Sequence, residues 1–341
     1  MSTSGTASSR PRLVDVAERA GVSTATASLV LRGRPGPSVA TSDAVRTAAA
    51  ELGYRPDRTA SLLARHRSHL LGVLLDVTSP FHAELVRALD DEAGERGLDL
   101  VLSTVTRRRD EVQAAETLLD FRCEALAVLG PDMPAAALDA LAASVPTVVV
   151  GREGTAHVPG VRVSDDRGLE LAVDHLVSLG HRQIAFVDGP RGSIAAARRR
   201  GYRAAMQRHG LRTEADVLPG GATEVAGVEA ARLLLERASA DRPTAAVCFN
   251  DRCAIGLRDT VVRAGLALPG DLSVVGYDDS PLARLGTVDL TSVSQEPEQL
   301  ARATVQRLAA LLKGEATEPG DVVVSPRLVV RSSSAPPAAA R

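Results

Sequence analysis

The feature that most constrains the fold is a long alternation of apolar strands and amphipathic helices, which begins at Leu70 and continues to about residue 331. The apolar runs lie at 70–75, 98–103, 125–130, 147–151, 184–188, 244–249 and 272–277. Helical patterns lie at 81–96, 110–121, 168–179, 194–209, 224–238, 252–265 and 298–312. Strands that are apolar throughout are covered on both faces, as in parallel sheets. Because so many units exceed one sheet, the pattern predicts an α/β fold of two doubly wound lobes.

The beginning of the chain has a wholly helical pattern. Residues 13–33 read as a short helix, a glycine-led turn and a second helix rich in small hydroxyl residues. Gly21 can end the first helix in a left-handed conformation, and Ser23 can cap the second. A third helix is predicted near Ser42 to Leu52, with an inner face of Ala44, Val45, Ala48, Ala49 and Leu52. This is the pattern of a helix-turn-helix, whose second helix lies in the DNA major groove. Two short helices around a glycine are also common in other helical domains.

The charge distribution favours the DNA-binding interpretation. Residues 1–69 carry a net charge of +5, and all ten of their basic residues are arginines. The remainder of the chain carries −7, so the whole-chain value of −2 conceals the contrast. A basic head on an acidic body suits a protein whose head neutralises phosphates.

Composition sets the expected domains and compartment. The predicted segments are a disordered N-terminus (1–10), the helix-turn-helix head (11–55), a linker (56–69), a two-lobed body (70–331) and a disordered tail (332–341). No apolar run approaches the roughly 20 residues of a membrane span, and the start does not read as a signal peptide, so we expect a cytoplasmic protein. Cys123, Cys248 and Cys253 are too few and too scattered for a disulfide framework or a zinc site. No metal and no cofactor are predicted.

The head resembles the lactose-repressor (LacI/GalR) family of bacterial transcription regulators. The residues that carry the resemblance are Asp15-Val16-Ala17, Ala20-Gly21-Val22-Ser23, Thr26, Ser28, Gly33, Ser38 and the run from Ala50 to Pro56. In the body they are 180–189, Gly201-Tyr202, Asn250-Asp251, 265–285 and Leu290-Thr291 to Gln295. The resemblance implies a body like that of periplasmic sugar-binding proteins, with a ligand cleft between the lobes. It also implies a homodimer, with a tetramer as the larger alternative, whose heads grip operator DNA.

The resemblance also implies which residues meet DNA. Thr24, Ala25 and Leu29 would read bases, and Thr26 and Ser28 would contact phosphates. The rest of the implied interface is Ser23, Tyr54, Arg55, Arg58, Thr59 and Leu63. Arg32 replaces the family's usual asparagine, and we expect it to contact a phosphate or a base from the end of the helix. Leu29 stands where the family usually has an arginine, which could pair with guanine. A leucine could touch only a thymine methyl or no base, so the operator should differ there from the common family site.

Two other positions of the head and linker bear on DNA binding. Leu63 aligns with the leucine that wedges between base steps in the family's hinge helix, and plain dimer packing by Leu62 or Leu63 is the alternative. Arg12 stands where a helix-capping threonine is usual, at an expected cost of about 1 kcal/mol to the first helix unless Arg12 meets phosphate.

Most of the ligand-binding residues are expected where strands end, and Gln295 is expected in the crossover region. The candidates are Asp76, Phe81, Arg152, Asn250, Asp278 and Gln295. Carboxylates and amides beside an aromatic ring suit a neutral polyol such as a sugar. Asp251 and Asp279 are interpreted first as helix caps. The family's ligand-binding arginine aligns with Ala196, and we expect the nearby Arg198 and Arg199 to point to other faces.

Together these features predict an allosteric repressor whose operator affinity is controlled by a small molecule, most simply a carbohydrate. A sugar-binding protein without DNA-linked regulation is the alternative, since it would share the body but not the basic head. An enzyme is disfavoured because the sequence has no Gly-x-Ser-x-Gly, no phosphate loop and no Gly-x-Gly-x-x-Gly.

Overall fold

The structure is a computed structural model that describes residues 11–31, 33, 35–54, 67–315 and 320–338. The chain forms two compact units, Met1–Ser68 and His69–Arg341, which are described separately below. None of the helices in the described ranges is long and apolar enough to cross a membrane.

The first unit contains three helices in its described part: α1 (Leu13–Arg19), α2 (Thr24–Leu31) and α3 (Val39–Leu52). Their small core consists of Val16, Ala17, Ala27, Val30, Val45, Ala48 and Ala49. Gly21 has a φ of 66°, as predicted for the turn after α1. The third helix begins three residues earlier than predicted, because Ser38 caps it by accepting a hydrogen bond from the Thr41 amide at 3.2 Å. Ala44, predicted on the inner face, is exposed.

The second unit has two lobes of alternating strands and helices. In chain order the elements are β1 (Leu70–Asp76), α4 (Pro80–Gly94), β2 (Asp99–Val105), α5 (Glu111–Asp120), β3 (Ala125–Leu129), α6 (Ala135–Ser144), β4 (Thr147–Val150), β5 (Gly160–Val163), α7 (Asp165–Ser178), β6 (Ile184–Val187), α8 (Ser193–Arg208), β7 (Asp216–Leu218), α9 (Glu224–Leu235), β8 (Ala245–Cys248), α10 (Asp251–Arg263), β9 (Ser273–Asp278), β10 (Thr291–Ser294), α11 (Pro297–Leu312), β11 (Val322–Val324) and β12 (Arg327–Val329). Short 3₁₀ turns lie at Arg212–Glu214 and Ser239–Asp241.

Each lobe is built on one six-stranded sheet. The strand order is β11-β5-β4-β3-β1-β2 in the first lobe and β12-β10-β9-β8-β6-β7 in the second. All of these pairings are parallel except that of β10 with β12. The chain passes between the lobes after β5, after β10 and after β11. Because both sheets are wound in this way, the cleft between the lobes lies at the carboxyl ends of their strands.

Helices cover both faces of each sheet. In the first lobe α4 and α11 pack on one face, and α5 packs on the other. In the second lobe α7 and α8 cover one face, and α9 and α10 cover the other. The buried strands β3, β4, β6 and β8 are apolar or nearly so, as the sequence pattern requires of a doubly covered sheet. The three cysteines are buried and unpaired.

The structure corrects the prediction of a disordered tail for residues 332–338. Ser333 is buried, and its hydroxyl donates to the Val274 carbonyl at 2.6 Å and accepts from the Thr291 amide at 2.8 Å. The carbonyl of Ala335 lies 2.9 Å from His181 Nε2. The tail therefore supplies hydrogen-bond partners to β9 and β10, which its composition of serine, alanine and proline does not reveal. Residues 339–341 lie outside the described residues.

Candidate DNA-binding and effector sites

The second helix of the head presents a small, uncharged face. Ser23 caps α2 as predicted, since its Oγ accepts a hydrogen bond from the Thr26 amide at 3.1 Å and lies 2.9 Å from Thr26 Oγ1. Thr24, Ala25 and Leu29 are exposed, whereas the opposite face of the helix is buried in the head core. The first two of these lie in the first turn, the part of a recognition helix that contacts base edges.

Other predicted DNA-binding residues have different surroundings. Ser28 is half-buried on α2, and Tyr54 is half-buried against the core of the head. Arg32, Arg55, Arg58, Thr59 and Leu63 lie outside the described residues.

The start of α1 is stabilised without a capping side chain at Arg12. The Asp15 carboxylate accepts a hydrogen bond from the Arg12 amide at 2.6 Å, which satisfies one of the amides left free at a helix start. Arg19 and Glu51 join α1 to α3 through an exposed ion pair of 2.7 Å. The cost expected from Arg12 is therefore offset in part by Asp15.

A cleft of about 210 Å³ lies between the lobes of the second unit, where strands of both sheets end. It brings together five of the six predicted ligand-binding residues: Asp76, Phe81, Asn250, Asp278 and Gln295. The sixth, Arg152, does not line it. The Arg152 side chain turns toward the loop after β3, where its Nη2 donates to the Met133 carbonyl at 3.0 Å.

Arg198 lines this cleft, so the expectation that it points to another face is wrong. Only 3% of the residue is exposed. Its Nε donates to Asp165 Oδ1 at 2.8 Å, and its Nη1 donates to the Phe249 carbonyl at 2.5 Å. Its Cζ lies 3.6 Å from the centre of the Tyr277 ring and 4.6 Å from that of Phe249. The guanidinium is thus fixed by one carboxylate, one carbonyl and two aromatic faces.

The spacing on α8 could have revealed this arginine. Ala195, Arg198, Tyr202 and Ala205 are all buried, and they follow one another at intervals of three or four residues. They therefore share the inner face of the helix. The resemblance aligned the family's arginine with Ala196, two residues earlier, whereas helical periodicity places Arg198 on the face toward the sheet.

Asp278 is a carboxylate of the cleft that a second cleft residue holds. It ends β9 with a φ of 105°, and Gln295 Nε2 donates to its Oδ1 at 2.6 Å. Burial raises the pKa of Asp278 to about 7, while the nearby Arg198 acts in the opposite direction. The left-handed backbone is unusual for a residue other than glycine and is typical of a functional site.

The cap of α10 is Asn250 and not Asp251, which was expected to have this role. Asn250 is the cap of α10, since its Oδ1 accepts from the Cys253 amide at 2.9 Å and its Nδ2 donates to the Ala222 carbonyl at 3.1 Å. Asp251 accepts from Ser292 Oγ at 2.6 Å and from the Ser280 amide at 2.7 Å, and burial raises its pKa to about 6.

Asp279 is not a helix cap either. It accepts from Arg331 Nη2 at 2.6 Å. Asp251 and Asp279 therefore hold the loops behind the cleft, and the preference for a capping role at these two positions is wrong.

Comparison with known proteins decides the family. Residues 12–57 match the profile of the bacterial regulatory proteins of the lacI family, and residues 173–334 match that of the periplasmic binding protein-like domain. The chain is 32% identical to the lactose operon repressor of Escherichia coli (strain K12) over 332 residues, which cover 95% of this chain and 91% of that protein. This chain belongs to the lacI family.

Solved structures of the family share the fold. A LacI transcriptional regulator from a Rhodococcus species is 45% identical, with a TM-score of 0.75 over 78% of this chain and 98% of that one. The lac repressor dimer bound to operator and the anti-inducer ONPF is 30% identical, with a TM-score of 0.79 over 96% and 100%. The transcriptional regulator CelR in complex with cellobiose is 31% identical, with a TM-score of 0.66 over 95% and 100%. The predicted two-lobed α/β fold with a helix-turn-helix head is confirmed, and this lacI-family protein is a DNA-binding regulator of transcription.

Two arginines of this lacI-family protein join its lobes beside the cleft. Arg252 on α10 is held by Glu224 through bonds of 2.8 and 2.6 Å, and its Nη1 donates to the Thr78 carbonyl of the first lobe at 2.9 Å. Arg284 donates to both carboxylate oxygens of Glu84 on α4, at 3.2 and 3.1 Å. A change in the angle between the lobes would break or rearrange these contacts.

His82 is a further cleft residue that the sequence interpretation missed. Its Nδ1 lies 3.2 Å from both the amide and the carbonyl of Asp76, and burial lowers its pKa. The Asp76 side chain in turn accepts from the Thr78 amide at 2.8 Å. His82 thus holds the end of β1, and its own amide donates to Ser79, the cap of α4.

Proposed function

We propose that this chain represses transcription as a cytoplasmic homodimer and that a sugar or related polyol, bound between the lobes, controls its affinity for operator DNA. The observation that carries the ligand part is a set of unused acceptors in the cleft. Among the described residues, Asp76 Oδ2, Asp278 Oδ2 and Gln295 Oε1 accept no hydrogen bond from protein groups. All three residues line the same cleft.

The amide and guanidinium donors of the cleft are mostly engaged. Asn250 uses both ends of its amide, and Arg252 uses its Nε and both terminal nitrogens. The Nη2 of Arg198 is a donor with no protein partner in the described ranges. A ligand that both donates and accepts hydrogen bonds would satisfy this set, and hydroxyl groups do both. The rings of Phe81 and Phe249 would pack against its carbon skeleton.

Control of DNA binding would follow from the position of the ligand between the lobes. A ligand that contacts Asp76 in the first lobe and Asp278 in the second favours one angle between them. A ligand can shift a conformational equilibrium only by its difference in affinity for the two states. We propose that a change in the angle between the lobes moves the linker at 56–69 and thereby changes how the heads bind DNA. The proposal includes no catalytic step, since the cleft residues are arranged to hold each other and a ligand.

The test uses the full-length protein and fragments of the genome that encodes it. Fragments retained by the protein are sequenced to find the operator, and sugars are then screened for a change in operator affinity. We expect retention of a few palindromic sites and a change of at least fivefold with one sugar or a small group of related sugars. Retention of no fragment at 50 mM salt would overturn the DNA-binding part. A sugar that binds the protein without any change in operator affinity would overturn the control mechanism.

A further inference from the structure

The exposed face of α2 is apolar where a DNA-reading helix commonly has charged or amide groups. Leu29 is 41% exposed, and Ala25 is exposed one turn before it. Positions four residues apart on a helix are neighbours on one face. The helix sequence from Thr24 to Leu31 is TATASLVL, which contains no charged residue and no amide. The reading face of α2 therefore offers methyl groups beside a few hydroxyl groups.

The opposite face of α2 fixes which residues point outward. Ala27 and Val30 are buried in the core of the head, against α1 and α3. Their burial leaves α2 no freedom to rotate, because a rotation would expose this core. Leu29 thus projects away from the head, on the side that a helix-turn-helix inserts into the major groove.

The chemistry of base edges decides what such a side chain can read. In the major groove, guanine presents two acceptors and cytosine an amino donor, whereas thymine presents a methyl group at C5. A leucine placed against guanine would remove water from O6 and N7 without replacing their hydrogen bonds, which is unfavourable. The same leucine against a thymine methyl group buries apolar surface on both partners.

We propose that Leu29, with Ala25 beside it, recognises thymine methyl groups, so that each operator half-site carries an A·T pair beneath this helix face. The inference depends on the proposed function only in requiring that the head bind operator DNA. Burial of one methyl group corresponds to about a fourfold gain in affinity. With one such thymine in each half-site of a symmetric operator, the two gains multiply to about fifteenfold.

The test replaces thymine by uracil, which removes only the C5 methyl group. The operator is first selected from random duplexes with the full-length protein. Each thymine pair related by the operator symmetry is then changed to uracil, and affinity is measured at constant salt. We expect one symmetric pair at which uracil lowers wild-type affinity by about fifteenfold, and at which Leu29→Ala binds the thymine and uracil duplexes to within about twofold of each other.

Two further variants keep the result interpretable. Val39→Ala removes an exposed apolar side chain at the start of α3, 79% exposed, and should retain the full thymine-to-uracil ratio. Leu29→Arg should select guanine at the same position, because arginine pairs with its O6 and N7. Since Leu29 is exposed, neither Leu29→Ala nor Leu29→Arg should disturb the core of the head.

The possible outcomes separate this inference from the proposed function. If no duplex is selected, the DNA-binding proposal itself fails. If an operator is selected but uracil is tolerated at every position, or if Leu29→Ala keeps the same thymine-to-uracil ratio, the head binds DNA and the methyl-reading inference is wrong.

Discussion

At the scale of single residues, two charged residues that line the cleft, Arg198 and Asp278, are held by specific neighbours. Arg198 is almost wholly buried, and its ion pair with Asp165 has side-chain exposures of only 4% and 7%. Breaking such a pair is costly because it leaves an uncompensated buried charge. The residue thus holds α8 against α7 and also lines the cleft.

Asp278 gives the first prediction, which concerns pH. Burial raises its pKa from the usual 3.8 to about 7, and Asp251 and Asp165 add to the effect. Between about pH 4 and pH 7 the folded protein therefore keeps a proton that the unfolded chain has lost, so the contribution of this group to stability falls as pH rises. Asp278→Asn should remove this dependence, and asparagine tolerates the left-handed backbone at this position.

Thermal unfolding of both proteins at pH 5 and pH 8 measures the effect. The wild-type melting temperature should fall between these values by at least about 2 °C more than that of Asp278→Asn. Asp91→Asn, at an exposed position on α4, is the control and should behave like the wild type. If the melting temperatures of Asp278→Asn and the wild type fall equally between pH 5 and pH 8, the raised pKa of Asp278 is contradicted.

Individual site residues were predictable from the sequence only as far as strand ends fix them. Asn250 and Asp278 follow the predicted strands 244–249 and 272–277, so the predicted topology places them at the cleft. Gln295 follows β10, which was not predicted, so its place rested on the resemblance. Arg152 follows β4 in the same way, but the direction of its side chain depends on a loop that the sequence does not specify. Arg198 lies on a helix, where the decisive information is which face packs inward.

At the scale of elements, clear apolar or amphipathic patterns were predicted well, and elements without such a pattern were not. The seven predicted strands and seven predicted helices of the body all occur, with ends shifted by a few residues. Strands β5, β7, β10, β11 and β12, each of three or four residues, were missed. The four-residue strands β4, β6 and β8 were predicted because they belong to longer apolar runs of the sequence. Strand β10 reads TSVS and is fully buried with its polar side chains hydrogen-bonded, so hydrophobicity could not reveal it.

Helix α6 was missed for a different reason. Its sequence, AAALDALAAS, has alanine on almost every face, so it shows little contrast between a buried and an exposed side. Alanine favours helix strongly, but propensity alone does not show which side of a helix is buried. The third helix of the head was placed too late because the capping role of Ser38 was not recognised.

The second prediction concerns the contact of α9 with α10. A Cβ atom added at Gly227 would lie 2.0 Å from the Cys253 carbonyl oxygen and 2.8 Å from the Leu257 nitrogen, both of which belong to the backbone. Gly227→Ala should therefore force the helices apart and lower the free energy of unfolding by about 1–3 kcal/mol.

Gly94, at the end of α4, provides a matched control. A Cβ atom there meets nothing within 4 Å, so Gly94→Ala should be neutral or stabilise the protein by up to about 1 kcal/mol. Denaturant unfolding of both variants measures the difference. Equal stability of the two variants would show that α9 and α10 are not packed as closely as described.

At the scale of the whole molecule, the arrangement of the body links ligand binding to movement of the lobes. The chain crosses between the lobes three times, so the lobes cannot separate but can change their angle. Arg284 with Glu84 and Arg252 with Thr78 bridge them directly beside the cleft. The ion pair is partly exposed, with Arg284 at 44%, so it contributes at most about 1 kcal/mol. Contacts of this strength are weak enough for a bound ligand to shift the equilibrium between two angles of the lobes.

This architecture was predictable because it follows from the alternation of strands and helices, and because particular motifs resemble those of the lactose-repressor family. The contacts between the lobes were not predictable. They join residues 174 and 200 positions apart, and their partners are a loop carbonyl and a helix carboxylate that carry no sequence motif. These contacts depend on how the two lobes are placed relative to each other.

Reciprocal coupling between sugar and operator tests the central claim most directly. The affinity of the full-length protein for its operator is measured with and without saturating sugar, and its affinity for the sugar is measured with and without operator. Because both binding events act on one conformational equilibrium, the two ratios must be equal, and a value between about 5 and 150 is expected. Two ratios of one, for a sugar shown to occupy the cleft, would contradict the account.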